Sequence, residues 1–138
     1  MSTNSTNSTN KSKTGKTNLI YPMLSYQIMQ VMFEVHNQLG PGFPEEVYER
    51  AAVFEFKTQG VPVEEQKTVQ VKFKGQLVGT FRLDLVVDAK IILELKAVSA
   101  LNDVYRQQLL SYLKATGLRL GILVNFGAGR VEAVGVVN

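Results

Sequence analysis

Apolar positions recur along this chain with two different periods, and the change of period marks out its elements. Leu24, Ile28, Val31, Met32, Val35 and Leu39 follow helical spacing. Pro22 suits the first turn of that helix and Gly40 its stop. Gly40-Pro41-Gly42 breaks the chain. A second helix is predicted from about Pro44 to Gln59, ended by Gly60. Pro44 fits its first turn, and Glu45 and Glu46 complement its positive end. The period then drops to that of strands. The first strand is predicted at about Glu64–Phe73, with Val69, Val71 and Phe73 on one face and Gln70 and Lys72 on the other. Lys74-Gly75 reads as a hairpin turn. The second and third strands follow at about Leu77–Val87 and Lys90–Val98. A helix from Ser99 or Asn102 to Thr116 is closed by Gly117, and strands at about Leu120–Asn125 and Val131–Val137 end the chain. Gly127-Ala128-Gly129-Arg130 joins these two as a hairpin turn and lacks the pattern of a phosphate loop. A meander of strands followed by a crossover helix predicts an α/β mixed sheet with helices packed on it.

Composition narrows the chemistry. The chain has 138 residues and 45% hydrophobic content, enough for one core and one domain. It has no Cys and one His, His36, which excludes disulfides, thiolate metal sites and His-rich zinc sites. His36 reads as a capping or packing residue, and Tyr48 as core. No apolar run reaches the ~20 residues of a membrane span, and the N-terminus carries no apolar signal segment. The expected location is cytoplasmic. Residues 1–18 repeat Ser-Thr-Asn three times, then carry Lys11, Lys13 and Lys16 with no acid. This tail is expected to be disordered, and it accounts for the formal net charge of +3. The remainder, residues 19–138, is balanced in charge and forms the single folded domain.

Three charged residues interrupt the apolar second and third strands: Asp84, Glu94 and Lys96. Residues i and i+2 of a strand share a face about 6–7 Å apart. Glu94 and Lys96 are therefore neighbours, and a hairpin can bring Asp84 opposite them. Two carboxylates beside an ammonium suit phosphodiester hydrolysis: oxygen ligands for a hard cation, and a positive charge to position water or offset phosphate charge. A solvated sheet face gives a similar pattern. However, Ile92 and Val98 share the face of Glu94 and Lys96, and the following helix should cover part of it. Buried carboxylates are costly unless paired or metal-bound. Gln108 interrupts the helical stripe Leu101, Tyr105, Gln108, Tyr112. The register decides whether the acids meet. With Val87 paired to Lys90, Asp84 would face Leu93. A three-residue turn at Asp88-Ala89-Lys90, or a bulge, is predicted instead, bringing Asp84 opposite Glu94.

Asp84 followed by Glu94-Leu95-Lys96 resembles the motif of the PD-(D/E)xK nuclease superfamily. Gln108-Leu-Leu-Ser-Tyr112 is similar to the Gln-x-x-x-Tyr motif of its exonuclease branch. Gly42-Phe-Pro-Glu45-Glu-Val-Tyr48 is similar to the Gly-x-x-Glu-x-x-Tyr signature of the GxxExxY protein family. The resemblance runs from about Tyr26 to Phe126 and includes Val35-His36, Leu39-Gly40-Pro41-Gly42 and Gly121-Ile-Leu-Val-Asn125-Phe126. It departs at Tyr105, where His is expected three residues before the motif Gln. The resemblance implies a nuclease-like domain over residues 19–138 and metal-dependent hydrolysis of DNA or RNA. Asp84, Glu94, a backbone carbonyl near Leu95, and Glu45 would hold Mg²⁺ or Mn²⁺. Lys96 would orient or deprotonate the attacking water. Gln108 and Tyr112 would steady Lys96 or the phosphate. Two rival readings remain: an inactive nuclease fold that binds nucleic acid or a protein partner, and a purely structural α/β interaction module. So short a chain has little room for a separate substrate-binding domain, so a homodimer or a partner could supply that surface.

Overall fold

The computed structural model describes residues 20–138. The tail expectation for residues 1–18 lies outside the described residues. Helices α1 (Pro22–Leu39) and α2 (Glu45–Thr58) precede strands β1 (Val63–Phe73), β2 (Gln76–Val87) and β3 (Ile91–Lys96). Helix α3 (Asp103–Thr116) crosses to β4 (Leu120–Asn125), and β5 (Glu132–Val137) follows. The sheet order is β1-β2-β3-β4-β5. The β3–β4 pair is parallel, as a helical crossover requires, and the other pairs are antiparallel. This is the α/β mixed sheet flanked by helices that the pattern predicts. Pro44 is the N-cap of α2 and not a residue of its first turn, because its ψ of 157° is extended. Among the described residues no helix is long and apolar enough to cross a membrane.

Each face of the sheet carries its own apolar layer. On one, α1 (Val31, Met32) and α2 (Tyr48, Phe56) bury Leu85, Leu93, Leu95 and Val124. On the other, Leu109 and Leu113 of α3 bury Leu83, Val86, Ile92 and Leu123. Asn102 caps α3, its side chain accepting the Val104 N–H at 2.9 Å.

Two local features set up the site. First, the β2–β3 turn has three residues. Val87 pairs with Ile91, Val86 with Ile92 and Leu85 with Leu93. Asp88 and Ala89 both take left-handed conformations, φ 52° and 56°, and the Lys90 N–H closes the turn on the Val87 carbonyl at 3.0 Å. Second, β3 leaves the sheet after Lys96, short of the predicted Val98. The fully buried Asn125 takes Val98 off the ladder: its Oδ1 accepts the Val98 N–H and its Nδ2 donates to the Val98 carbonyl, both at 2.9 Å. Gly127 packs directly on the Val98 backbone, where any Cβ would collide with it.

Candidate active site

The β2–β3 ladder ends at Leu85 and Leu93, and the next pair in register is Asp84 and Glu94. There the strands part and side chains replace the backbone ladder. The Asp84 N–H donates to Glu94 Oε2 at 2.9 Å, and the Leu95 N–H donates to Asp84 Oδ2 at 2.9 Å. Each carboxylate thus satisfies an amide that the departing strand has left. The second oxygen of each has no hydrogen-bond partner among the described residues.

The alternation of β2 also breaks here. Phe81 and Leu83 pack in the α3 layer, whereas Leu85 and Val87 pack in the α1/α2 layer. A regular strand would keep all four on one side. On β1 the residue opposite Asp84 is Gln66, which is left-handed at φ 51°. Val63 before it and Val69 after it pack in different layers as well. Both strands change sides together, so Asp84 stands where both faces of the sheet can reach it.

Helix α2 approaches from one face. Gly42, at φ 114°, turns the chain into α2 in a conformation that side chains rarely adopt. The buried Tyr48 hydroxyl donates to the Gly40 carbonyl at 2.6 Å and accepts the Phe43 N–H at 3.2 Å. Its ring stacks on Phe126 with centroids 4.5 Å apart. Phe126 stacks in turn on His36, whose Nε2 lies 3.0 Å from the Ala128 carbonyl. His36 and Tyr48 are thus packing residues that tie the α1–α2 loop to the end of β4, and this fixes Glu45 in the first turn of α2.

Helix α3 approaches from the other face. The Lys96 ammonium lies 4.7 Å from the centre of the Tyr105 ring. It makes no ion pair among the described residues. Tyr105, where the resemblance leads one to expect His, is therefore the platform for Lys96. Tyr112 stacks on Phe81 at 4.2 Å and feels the charge of both Glu94 and Asp84. Gln108 lies on the same stripe between the two tyrosines, but it is exposed and makes no side-chain hydrogen bond among the described residues.

The electrostatics follow from this crowding. Glu94 is 6% exposed, and burial first, then the Asp84 charge, pushes its pKa up to about 8. Burial raises Asp84 too, against the Leu95 amide and Lys96. Glu45 is raised by partial burial, offset by Lys96 and increased by Asp84. Glu49 was missed by sequence reasoning. It accepts a 2.7 Å hydrogen bond from Gln66 Nε2 and is raised by burial, then by the Asp84 charge once the Gln66 bond is offset. Its place one helical turn after Glu45 was the available signal.

The donor set suits a hard cation. Two carboxylate oxygens are uncommitted, and the Leu95 carbonyl lies on the same strand edge as its N–H, the edge that β2 has left. Among the described residues no three acidic or histidine side chains form a cage. A small cation that keeps several waters needs none. Glu45 stands near enough to this corner to feel the charges of Lys96 and Asp84.

The sequence profile of the PD-(D/E)XK nuclease superfamily matches residues 22–136. The chain belongs to the PD-(D/E)XK nuclease superfamily. A solved structure among those that match, described as SSO0001, superposes with a TM-score of 0.56 at 17% identity. The match covers 68% of this chain and 50% of that one, so this chain spans about half the length of that relative. At this identity the likeness concerns the fold alone. Among curated proteins no relative matches. In this chain Asp84 and Glu94 lie at the end of the β2–β3 ladder, between the helical layers.

Proposed function

We propose that this domain hydrolyses phosphodiester bonds of DNA or RNA with a divalent metal, as a member of the GxxExxY branch of its superfamily. The observation that carries the reading is the cross-braced pair Asp84 and Glu94, half-empty of partners, beside a Lys96 that is not locked in an ion pair. Asp84, Glu94 and the Leu95 carbonyl would hold Mg²⁺ or Mn²⁺, with Glu45 contacting its waters. Bound there, the metal would supply Lewis-acid stabilisation of charge on the phosphate and lower the pKa of water. Water oxygen attacks phosphorus and gives up a proton to solvent, the bond to the leaving ribose or deoxyribose oxygen breaks, and that oxygen takes up a proton from solvent. Lys96 orients the water and offsets the charge that builds on the phosphate oxygens. Tyr105 holds the ammonium, and Tyr112 and Gln108 face the phosphate from α3.

The protonation states support this division of work. A carboxyl pushed up to about 8 is costly to ionise in the metal-free protein. A cation reverses that cost by neutralising the pair. A second reading, an inactive nuclease fold that binds nucleic acid, is favoured by one observation: Tyr105 stands where the resemblance leads one to expect His. Thermal melts with and without Mn²⁺, followed by cleavage of labelled single- and double-stranded DNA and RNA, separate the two. The active reading expects a Mn²⁺-dependent rise in melting temperature and cleavage that disappears in Asp84→Asn. A melt unmoved by millimolar Mn²⁺ overturns it. A rise in the melt without any cleavage supports the second reading.

A further inference from the structure

The distal part of the β1–β2 hairpin extends past the sheet. Only Leu85–Val87 of β2 pair with β3. From Asp84 to the turn at Lys74-Gly75 the arm runs about 25 Å at strand rise. One side packs on α3 through Phe81, Leu83 and Val69. The other side is covered by nothing among the described residues. It presents Thr68, Gln70, Lys72, Thr80 and Arg82, all exposed. At the tip Phe73, Leu77 and Val78 are 63%, 54% and 60% exposed, and the Lys74 ammonium lies 5.5 Å from the Phe73 ring centre.

Charge on this arm is segregated. Between Glu65 and Asp84 the chain carries Lys67, Lys72, Lys74 and Arg82 and no acid. Lys67 pairs with Glu64 at 3.3 Å, while the other three make no ion pair among the described residues. The carboxylates Glu45, Glu49, Asp84 and Glu94 all cluster at the root instead. A charge-balanced domain thus has a cationic arm leading to an anionic corner. The arm adjoins α2 through the Gln66–Glu49 hydrogen bond of 2.7 Å, so its open face runs into that corner.

We propose that this arm is the platform for single-stranded nucleic acid, which it leads into the site between Asp84 and Glu94. Phosphates lie on Lys72, Lys74 and Arg82, and a base stacks on Phe73. The inference rests on the nuclease reading for its direction and goes beyond it in naming the surface and the strand state. A polyanion is the partner that three uncompensated cations and no carboxylate favour. Phe73 stands at the tip, beside the register shift between Val71 and Lys72 and on the side opposite Lys72, so its exposed ring offers a stacking place for a base that passes round the end of the arm. A duplex keeps its bases stacked internally and would leave Phe73 unused.

The test measures binding of a labelled oligothymidylate and of a duplex by fluorescence anisotropy, in EDTA, where no cleavage occurs. Phe73→Ser is expected to weaken the single strand about tenfold, the size of one stacking contact, and to leave the duplex unchanged. Lys72→Ser with Lys74→Asn is expected to weaken both and to reduce the salt slope by about one to two units. Asn suits the left-handed backbone at Lys74, φ 51°, so the turn is retained. Lys57→Ser with Lys114→Ser, equal in charge loss but on exposed helical positions away from the arm, should bind as wild type. Equal loss in that control would overturn the arm as the specific surface. Unchanged binding in both arm variants, or Phe73→Ser weakening the duplex as much as the single strand, would also overturn it. A Mn²⁺-sensitive melt with unchanged arm binding sinks this inference alone. A Mn²⁺-insensitive melt with arm-dependent binding sinks the metal reading alone.

Discussion

The two halves of the β2–β3 pairing use the same backbone in opposite ways. From Val87–Ile91 to Leu85–Leu93 the ladder is closed, and every side chain on it is buried and apolar. One step further the ladder opens, and carboxylate oxygens from Asp84 and Glu94 take the amides. The closed half gains stability from burial and has no titratable group. The open half leaves two acids close together at a cost the closed half must carry. The contrast marks the rung to which the proposed function assigns the metal: where the strands part, the two acids leave a pair of oxygens free beside a backbone carbonyl.

The largest expected effect tests the closed half. Leu93 is fully buried between both pairing strands and the α1/α2 layer. Leu93→Ala should cost about 2–5 kcal/mol in urea unfolding, with any Mn²⁺-induced stabilisation of the remaining folded protein retained. Loss below about 1 kcal/mol would show that the two halves do not differ as described.

Next comes the pH dependence of the open half. Burial, then the Asp84 charge, raises the folded pKa of Glu94 to about 8, above its ordinary value of 4.5. Between those values the folded protein holds a proton that the unfolded chain releases. The stability it contributes is therefore full below the unfolded value, falls as pH rises through about 8 and is flat above. The total is on the order of a few kcal/mol. Asp84, raised in the same direction, adds to the fall. Glu94→Gln should flatten most of the slope, measured as urea midpoints from pH 5 to 9 in EDTA. A wild-type slope that is already flat, or one that survives the substitution, breaks the assignment.

Much of this was legible in the sequence, and the exceptions share one cause. Period and turn residues sufficed for the element order, because propensity and patterning agree there. The three-residue turn at Asp88-Ala89-Lys90 could be reasoned from the need to bring Asp84 and Glu94 together. What could not be read was the change of sides at Gln66 and Asp84. Alternation assumes a regular strand, and nothing in Glu65-Gln66-Lys67 announces a left-handed residue. Glu49 had a signal, its place one helical turn after Glu45, but its contact with the irregular Gln66 did not show in the pattern. The early end of β3 was equally hidden, because it depends on Asn125, distant in sequence from Val98.

Asp84→Asn is the third test, smaller in stability and decisive for the site. The amide oxygen of Asn still accepts the Leu95 N–H, so the brace survives. Removing a carboxylate whose charge burial already disfavours should leave apo stability unchanged or raise it by up to about 1 kcal/mol. Mn²⁺ should then no longer raise the melting temperature, since stabilisation by a ligand follows its affinity for the native state. If Asp84 were instead a structural partner of Arg82 or Lys96, the variant would be less stable with and without Mn²⁺. Cleavage that persists in Asp84→Asn would point to another site or a contaminant.

The smallest effect concerns the platform under Lys96. A cation–π contact between half-buried partners contributes on the order of 1 kcal/mol, so Tyr105→Leu should lower stability by about that, while Tyr105→Phe keeps the ring and the contact. On the proposed mechanism the consequence for catalysis should be larger than the one for folding, because Lys96 would act by position. Freed from the ring, its ammonium can swing onto Asp84 or Glu94, pairing with the group the metal requires. Tyr105→Leu should therefore lower kcat and raise the Mn²⁺ concentration needed for half-maximal activity, with oligonucleotide binding in EDTA unchanged. Tyr105→Phe should restore both. A Phe variant as impaired as the Leu variant would assign the effect to the hydroxyl and remove the ring from the mechanism. Equal activity in all three proteins would mean that Lys96 needs no platform, and that the open rung of the sheet is set by its two acids alone.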